Sequence, residues 1–542
     1  MGQTHARADI LVVGAGASGA VVARHLAEHG VSVVVLEQGG WASQGDFPGT
    51  RPEYELMTAQ RWSGDPNTRG DPADYPVDQS ESDGPPVYMY NGVGGGTILF
   101  AAVWARATPA NFRLRTLDGV ADDWPLSYRE LQPHYEATDL EFGASGLGGN
   151  PAYPPGAAPP LPPLPIAATG RKLAEGMNRL SWHWWPGCNA IASRVHGAQA
   201  ACLRYGTCVT GCPAGAKGST DVTHWPAAIR SGARLVTGAR VKEITLDARG
   251  RASGAVYVDR DGREQFQPAG LVVMAANGIG TARILLLSQS GRFPHGLANS
   301  SGLVGRRLML HPCASVAGIY DDAFDEHGPS GQKISSMQFY ESDPSRGFVG
   351  SGYWTMYDGI GPHLHLLRRT LGEDIGREPF WGSPFPAAMR EVAHHTLAWG
   401  IVGEDLPEEH NRVTLDPSRK DGDGLPAARI TYRMAENTRR LIDFHCRRAT
   451  EALDAAGAKR SFVFTRNIGA GHLLGTACMG DDPATSVVDR WCRSHDVPNL
   501  FIVDGSVFVT GTGVNPTSTI VAIARRAAAH IVATARGREV SS

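Results

Sequence analysis

Apolar positions form short unbroken runs near both ends of the chain and alternate with polar ones through its middle. Ile10–Val13 is a four-residue apolar run met at once by glycine, which predicts a short buried strand. A helix follows, with Ala20, Ala23 and Ala27 giving it a small-residue face; Gly30 ends it, and Val31–Leu36 predicts a second strand. From Ala233, ARLVTGARVKEITLD and GAVYV predict strands joined by a hairpin, and GLVVMAANGIGTARILLLSQ predicts a strand, a turn and a helix. Between Cys313 and Asn467 the texture becomes aromatic and alternating (SSMQFY, FVGSGYWTMY), with a turn and strand at Asn411–Asp416 and a helix over Ala435–Ala456. Leu500–Val503 returns to the first pattern as a strand ending in Asp504. Asn515-Pro516-Thr517 then opens a helix from Ser518 to about Ala535, where a proline near the start wastes no backbone donor.

This order predicts an α/β protein, α+β overall: a Rossmann-like nucleotide-binding domain and a second, mostly antiparallel-sheet domain that holds a substrate. The nucleotide-binding domain is expected to be discontinuous, residues 1–312 and 468–542, with residues 313–467 forming the substrate domain. Gly39–Pro86, rich in Gly, Pro, Asp and Ser without sustained periodicity, reads as a long surface excursion. Asn150–Pro165 is too proline-rich for a helix and reads as an extended strap.

Gly14, Gly16 and Gly19 stand after the first strand as G-x-G-x-x-G, with Ser18 inside the motif. The first allows a tight turn, the second lets the backbone approach a pyrophosphate, and the third packs the helix on the strand; the phosphates lie at the positive helix N-terminus. Glu37, 18 residues beyond Gly19, ends the second strand, where a carboxylate accepts from both ribose hydroxyls and repels a 2′-phosphate. The motif does not separate FAD from NAD. A second glycine run, Tyr90-Asn91-Gly92-Val93-Gly94-Gly95-Gly96-Thr97, precedes another apolar segment and suggests a second close backbone approach to a ligand.

Composition narrows the function classes. With 42% hydrophobic and 19% charged residues, the 542-residue chain is globular, and its net charge of −3 provides no basic field for nucleic acid. No stretch reaches the roughly 20 apolar residues that span a bilayer, and no signal peptide is evident, so a cytoplasmic, non-membrane protein is expected. The eight cysteines are expected to be reduced. Cys202, Cys208 and Cys212 form C-x5-C-x3-C without a fourth ligand or C-x2-C spacing, so a structural loop is expected and no metal.

Two residues carry candidate chemistry: His472 in GHLLGT and Asn515 in GVNPT. A histidine that titrates near neutrality takes a hydroxyl proton, and an asparagine amide holds the oxygen as it becomes an alkoxide. The pair suits alcohol oxidation.

The conjunction of GAGASGAVVARHLAEHG with Glu37, NGVGGGT, DPATSVVD, PNLFIVDGSV, GHLLGTACMG and VNPTSTIVAIA resembles the glucose-methanol-choline (GMC) family of FAD-dependent oxidoreductases over nearly the whole chain. The resemblance implies FAD rather than NAD. It implies that His472 and Asn515 face the flavin N5, His472 removing the hydroxyl proton as hydride passes to N5. On the cofactor it implies Gly14, Gly16, Ser18, Gly19 and Glu37 along the ADP portion, with the Val241 backbone against the adenine. Gly94, Gly95 and Thr97 would run beside the flavin, Asp504 would lie near the ribityl and phosphate region, and Pro516 and Thr517 under the pyrimidine edge. Leu99 occupies the place where some relatives carry a flavin-linking histidine, so non-covalent FAD is expected.

The GCPAGAK run resembles bacterial sugar and sugar-acid members, and the expected branch is the pyranose oxidase or glycoside 3-oxidase type. The expected reaction is oxidation of a secondary hydroxyl of a sugar or glycoside to a ketone, with oxygen or another acceptor reoxidising the flavin. Tyr353 and Trp354 are expected to stack on the sugar. Sugar-acid, primary-alcohol or choline-like substrates are the alternative within the family, and a flavin-binding protein without turnover is the alternative outside it.

Overall fold

The computed structural model describes residues 4–324, 333–356, 382–383, 385–392, 394–468 and 471–535. Part of the expected 313–467 substrate domain therefore lies outside the described residues.

The two apolar runs at the N-terminus become parallel neighbours. Strand Ala8–Val13 sits between Val33–Glu37 and Glu264–Met274, with Val13 opposite both Leu36 and Met274. Arg234–Thr237 adds beyond the second strand, Glu37 opposite Thr237. Leu500–Ile502 adds beside Glu264–Met274, Ile502 opposite Met274. Parallel strands are covered on both faces and so read as unbroken apolar runs; Leu11, Val12, Val35, Val272, Val273 and Ile502 are fully buried. Helix Thr517–Ala535 packs on helices Ala17–Glu28 and Tyr128–Glu141, with Tyr135 and Thr519 joined through their hydroxyls at 2.8 Å. The predicted hairpin appears as antiparallel strands Arg240–Leu246 and Ala252–Val258 leading back into Glu264–Met274.

A second sheet of six strands is antiparallel throughout, in the order 460–468, 313–319, 396–403, 352–356, 334–336 and 185–186. Helix Glu436–Ala455 lies on it, burying Leu441, Ile442, Ala449 and Leu453 against Trp354 and Trp399.

The Gly39–Pro86 excursion holds more structure than its sequence predicts. It contains helix Tyr54–Ala59 and strand Val77–Ser82, which pairs parallel with Pro426–Tyr432 in a third sheet completed by Arg412–Lys420. Of the described residues, no helix is long and apolar enough to cross a membrane.

Candidate active site

Five parallel strands finish along one edge, and their ends deliver Thr237, Glu37, the first glycine turn, Ala275 and Asp504 to a common bay. Ligands of open α/β sheets bind at such carboxyl ends. The three motif glycines differ in what requires them. At Gly14, with φ +103°, a Cβ would lie 2.5 Å from the Ala275 carbonyl oxygen, and at Gly19 it would lie 2.1 Å from that of Gly14. At Gly16 a Cβ would meet only the Gly95 Cα at 3.7 Å. The chain's own packing forbids a side chain at the outer two, whereas the middle one keeps open space in front of a helix N-terminus.

Glu37 is buried and anchors this turn: its two carboxylate oxygens accept from Ala15 N–H at 2.8 Å and Gly39 N–H at 2.9 Å. Burial pushes its pKa up, against the pull of those backbone donors. Ser18 is buried in the first helical turn. The second glycine run docks directly on the first, since Gly94 N–H donates to Ala15 C=O at 3.0 Å and a Cβ on Gly95 would lie 2.6 Å from Gly16 Cα. Thr97 donates to Gly94 C=O at 2.5 Å and accepts from Thr220 N–H at 3.1 Å. Asp504 accepts from Thr281 Oγ1 and Ser506 Oγ, both at 2.6 Å. Val241 pairs with Tyr257, and the ladder slips between Val241 and Glu243.

His472 stands opposite a residue that the sequence did not flag. Met309 and Leu474 form an antiparallel bridge, each N–H donating to the other's carbonyl at 3.0 and 3.1 Å. Two residues on along one arm and two back along the other, that register faces His311 with His472. Their Nδ1 atoms are 3.1 Å apart and the rings meet edge-on at 86°. The other nitrogen of His311, Nε2, hydrogen-bonds Gly511 C=O.

These contacts fix the protons. A carbonyl only accepts, so His311 Nε2 carries a hydrogen; the neutral ring then offers a lone pair at Nδ1, and His472 donates its Nδ1–H to it. His472 Nε2 is left unprotonated. Burial keeps both rings neutral, pushing His472 down to about 4 and His311 well below the usual histidine range. His311 adopts φ +48° immediately before Pro312, a conformation costing about 1–3 kcal/mol.

Gly511 opens the loop that carries the second predicted residue. The loop runs through Thr512, with φ +67°, and Gly513, with φ +57°, to Asn515, Pro516 and the helix starting at Thr517. Asn515 Oδ1 and Thr512 Oγ1 are both buried without a hydrogen-bond partner. The histidine string and the asparagine string are thus tied together through His311, and the loop presents two unmatched polar atoms.

Tyr353 and Trp354 do not form a sugar platform. Both are buried, and Trp354 donates its indole N–H to His445 at 2.9 Å inside the core of the second sheet. Leu99 packs on the cluster of Phe47, Trp62 and Ile98. No disulfide joins the described cysteines. Buried Lys217, in the cysteine-rich loop, donates to the carbonyls of Cys208 at 2.5 Å and Ile98 at 2.6 Å, and so braces the segment just after Thr97.

Two sequence models of the GMC oxidoreductase family match the chain, over residues 8–313 and 407–524. A 2-methyl-1,2-propanediol dehydrogenase of Mycolicibacterium austroafricanum is 40% identical over 96% of this chain and 95% of its own. A fructose dehydrogenase large subunit of Gluconobacter japonicus is 29% identical over 96% and 97%. A paromamine 6′-oxidase of Streptomyces fradiae is 30% identical over 96% and 90%. The fold matches pyridoxine 4-oxidase from Mesorbium loti with a TM-score of 0.65 at 18% identity, covering 97% of this chain and 99% of the other. The Rossmann-type sheet with its glycine turn, the antiparallel second sheet and the full-length relatives agree: the chain belongs to the GMC oxidoreductase family, FAD-binding enzymes that act on CH–OH groups.

Proposed function

We propose that the protein oxidises a carbinol carbon of a small polyhydroxylated alcohol, with His472 as general base and Asn515 as the group that holds the alcohol oxygen. The observation that carries this reading is the Gly511–His311–His472 relay, which leaves His472 Nε2 as a lone pair and ties that ring, through His311, to a loop whose Asn515 amide oxygen has no partner. His472 Nε2 takes the hydroxyl proton, and the resulting imidazolium keeps its Nδ1–H on His311, which passes the polarisation on to Gly511 C=O. The Asn515 carboxamide, whose Oδ1 is held by no partner, is free to turn its N–H2 toward that oxygen as negative charge grows on it.

The residues present fit FAD. The open space at Gly16, the docked Gly94–Thr97 loop, and the strand ends at Glu37 and Asp504 would line its length, with Val241 at the adenine end and Pro516 and Thr517 at the helix N-terminus, which favours negative charge. Bound FAD supplies the two-electron acceptor for the carbon-bound hydrogen, and oxygen or another acceptor then reoxidises it. Leu99 cannot form the bond made by a flavin-linking histidine, which supports non-covalent cofactor; acid precipitation then releases FAD to the supernatant. Residues 1–312 and 468–542 would hold the cofactor and 313–467 the substrate, although Val77–Ser82 pairs with Pro426–Tyr432.

The substrate class proposed is a compact vicinal diol or polyol oxidised at a primary hydroxyl. The diol dehydrogenase at 40% identity supports it, because 2-methyl-1,2-propanediol has hydrogen on only one of its hydroxyl-bearing carbons, the primary one. Burial of Tyr353 and Trp354 removes the aromatic argument for a sugar. The second reading, a secondary hydroxyl of a sugar or glycoside as in the pyranose oxidase or glycoside 3-oxidase branch, draws on the fructose dehydrogenase relative. Anaerobic bleaching of the flavin with no NADPH added decides between them. Small diols should bleach it faster than fructose or glycosides; bleaching by sugars alone establishes the second reading, and bleaching by no alcohol refutes both.

A further inference from the structure

Strand Thr396–Gly403 of the antiparallel sheet runs into Glu404, which is 1% exposed. Its two carboxyl oxygens are spent on backbone donors from different parts of the chain: Oε2 accepts Ser351 N–H at 2.8 Å and Oε1 accepts Thr512 N–H at 3.1 Å. Thr512 is the left-handed non-glycine residue of the loop between Gly511 and Asn515. Its carbonyl takes the Tyr340 hydroxyl, which also lies 2.8 Å from Asn111 Oδ1. The Asn111 amide donates to Ser351 Oγ at 3.1 Å, which closes a ring back to Ser351 and Glu404. Shape holds the same loop: a Cβ on Gly511 would lie 2.9 Å from Asp405 C=O, and one on Gly513 would lie 2.6 Å from Ser351 Cβ.

The loop gripped in this way carries both ends of the reacting arrangement, the Gly511 carbonyl that fixes the His311 tautomer and the Asn515 amide. Glu404 is the member of the ring whose two acceptors bind one backbone donor before strand Gly352–Met356 and one in the Gly511–Asn515 loop. A left-handed Thr512 persists only where the surroundings over-determine it, and Glu404 is the side chain that does so from the antiparallel sheet.

We propose that Glu404 is a positioning residue for alcohol oxidation: it ties the antiparallel sheet to the Gly511–Asn515 loop and so aligns the His311–His472 relay with Asn515. This rests on the catalytic reading above. Displacing a catalytic group by an ångström costs on the order of 100-fold in rate, so the effect belongs in the rate of flavin reduction, with FAD and substrate binding unchanged.

Glu404→Gln keeps the length but sets an amide N–H2 against one of the two donors. Tyr340→Phe removes the single oxygen on Thr512 C=O, and it decides the matter alone if Glu404→Gln does not fold. Two readouts are compared with the wild type. One is the anaerobic rate of flavin reduction at saturating alcohol. The other needs no substrate: in protein with ¹⁵N-labelled histidine, the His311 Nε2–H signal, assigned with His311→Gln, and its exchange with solvent.

Both variants should bind FAD and keep the substrate dissociation constant. Reduction should slow by about 10- to 100-fold, and the His311 proton should exchange faster. Wild-type protection of that proton in the variants, or a wild-type reduction rate, overturns the proposal; so does a loss confined to FAD binding and melting temperature. If no alcohol reduces the wild-type flavin, the catalytic reading has failed, and the exchange of the His311 proton alone then decides whether Glu404 sets the loop.

Discussion

A neutral imidazole carries one proton, and at His472 its place is decided two hydrogen bonds away, at the Gly511 carbonyl. His311→Phe removes the acceptor for His472 Nδ1–H while leaving the glycine turns untouched. The His472 proton is then free to sit on either nitrogen, and flavin reduction should slow by about 10- to 100-fold with FAD still bound; an unchanged stopped-flow rate would detach His311 from the chemistry. The pH response follows from the same burial. The proposed base works when neutral and its pKa lies at about 4, so protonation of His472 by itself should leave the rate level around neutrality and lower it in acid. His472 and Asn515 could be proposed from the sequence because each sits in a local string. His311 could not, because its partner lies 161 residues away and a long-range register creates the pair.

At the scale of elements, the glycines separate fold from ligand. Gly19→Ala puts a carbon 2.1 Å from a backbone oxygen. That overpacking should destabilise the cofactor-free protein by about 1–3 kcal/mol in a urea melt. Gly16→Ala meets only a contact at 3.7 Å, so it should melt like the wild type without cofactor yet bind FAD more weakly by fluorescence titration; equal melts for the two variants would contradict this division. Strands and helices with strong patterns were readable: the long helix expected over Ala435–Ala456 is Glu436–Ala455. Strand Val77–Ser82 was missed because VDQSES buries only Val77 and has no alternation to find; its partner strand, not its own composition, makes it a strand.

The whole molecule couples buried ionisable groups to stability. His25, His134 and His472 are pushed down to about 4, and His445 to about 3, in each case chiefly by burial. The unfolded chain binds these protons near pH 6.5 and the folded chain only near 4, so stability is present above about 6.5 and is lost as pH falls toward 4. Glu404, raised to about 7, and Asp405, raised to about 6, act in the opposite sense: the folded chain holds their protons while the unfolded chain releases them, so stability from them grows as pH falls toward the ordinary carboxylate range. Because the two sets oppose each other, the histidine part is read by difference: the melting temperature of His445→Gln relative to the wild type should rise as pH falls from 6 to 4.5, and an unchanged difference over that interval would contradict the histidine assignment. The sequence conveyed two kinds of sheet through its unbroken and alternating apolar runs. It could not convey the third sheet, which joins residues 77–82 to residues 412–432.

The central claim is that His472 accepts the alcohol proton through an Nε2 freed by His311. The most direct measurement is the anaerobic rate of flavin reduction in His472→Ala, at saturating substrate and pH 7, in protein that has bound its full complement of FAD. Loss of a general base predicts a fall of about 10²- to 10⁴-fold, with the flavin spectrum of the oxidised enzyme retained. A variant that reduces its flavin at the wild-type rate would contradict the account.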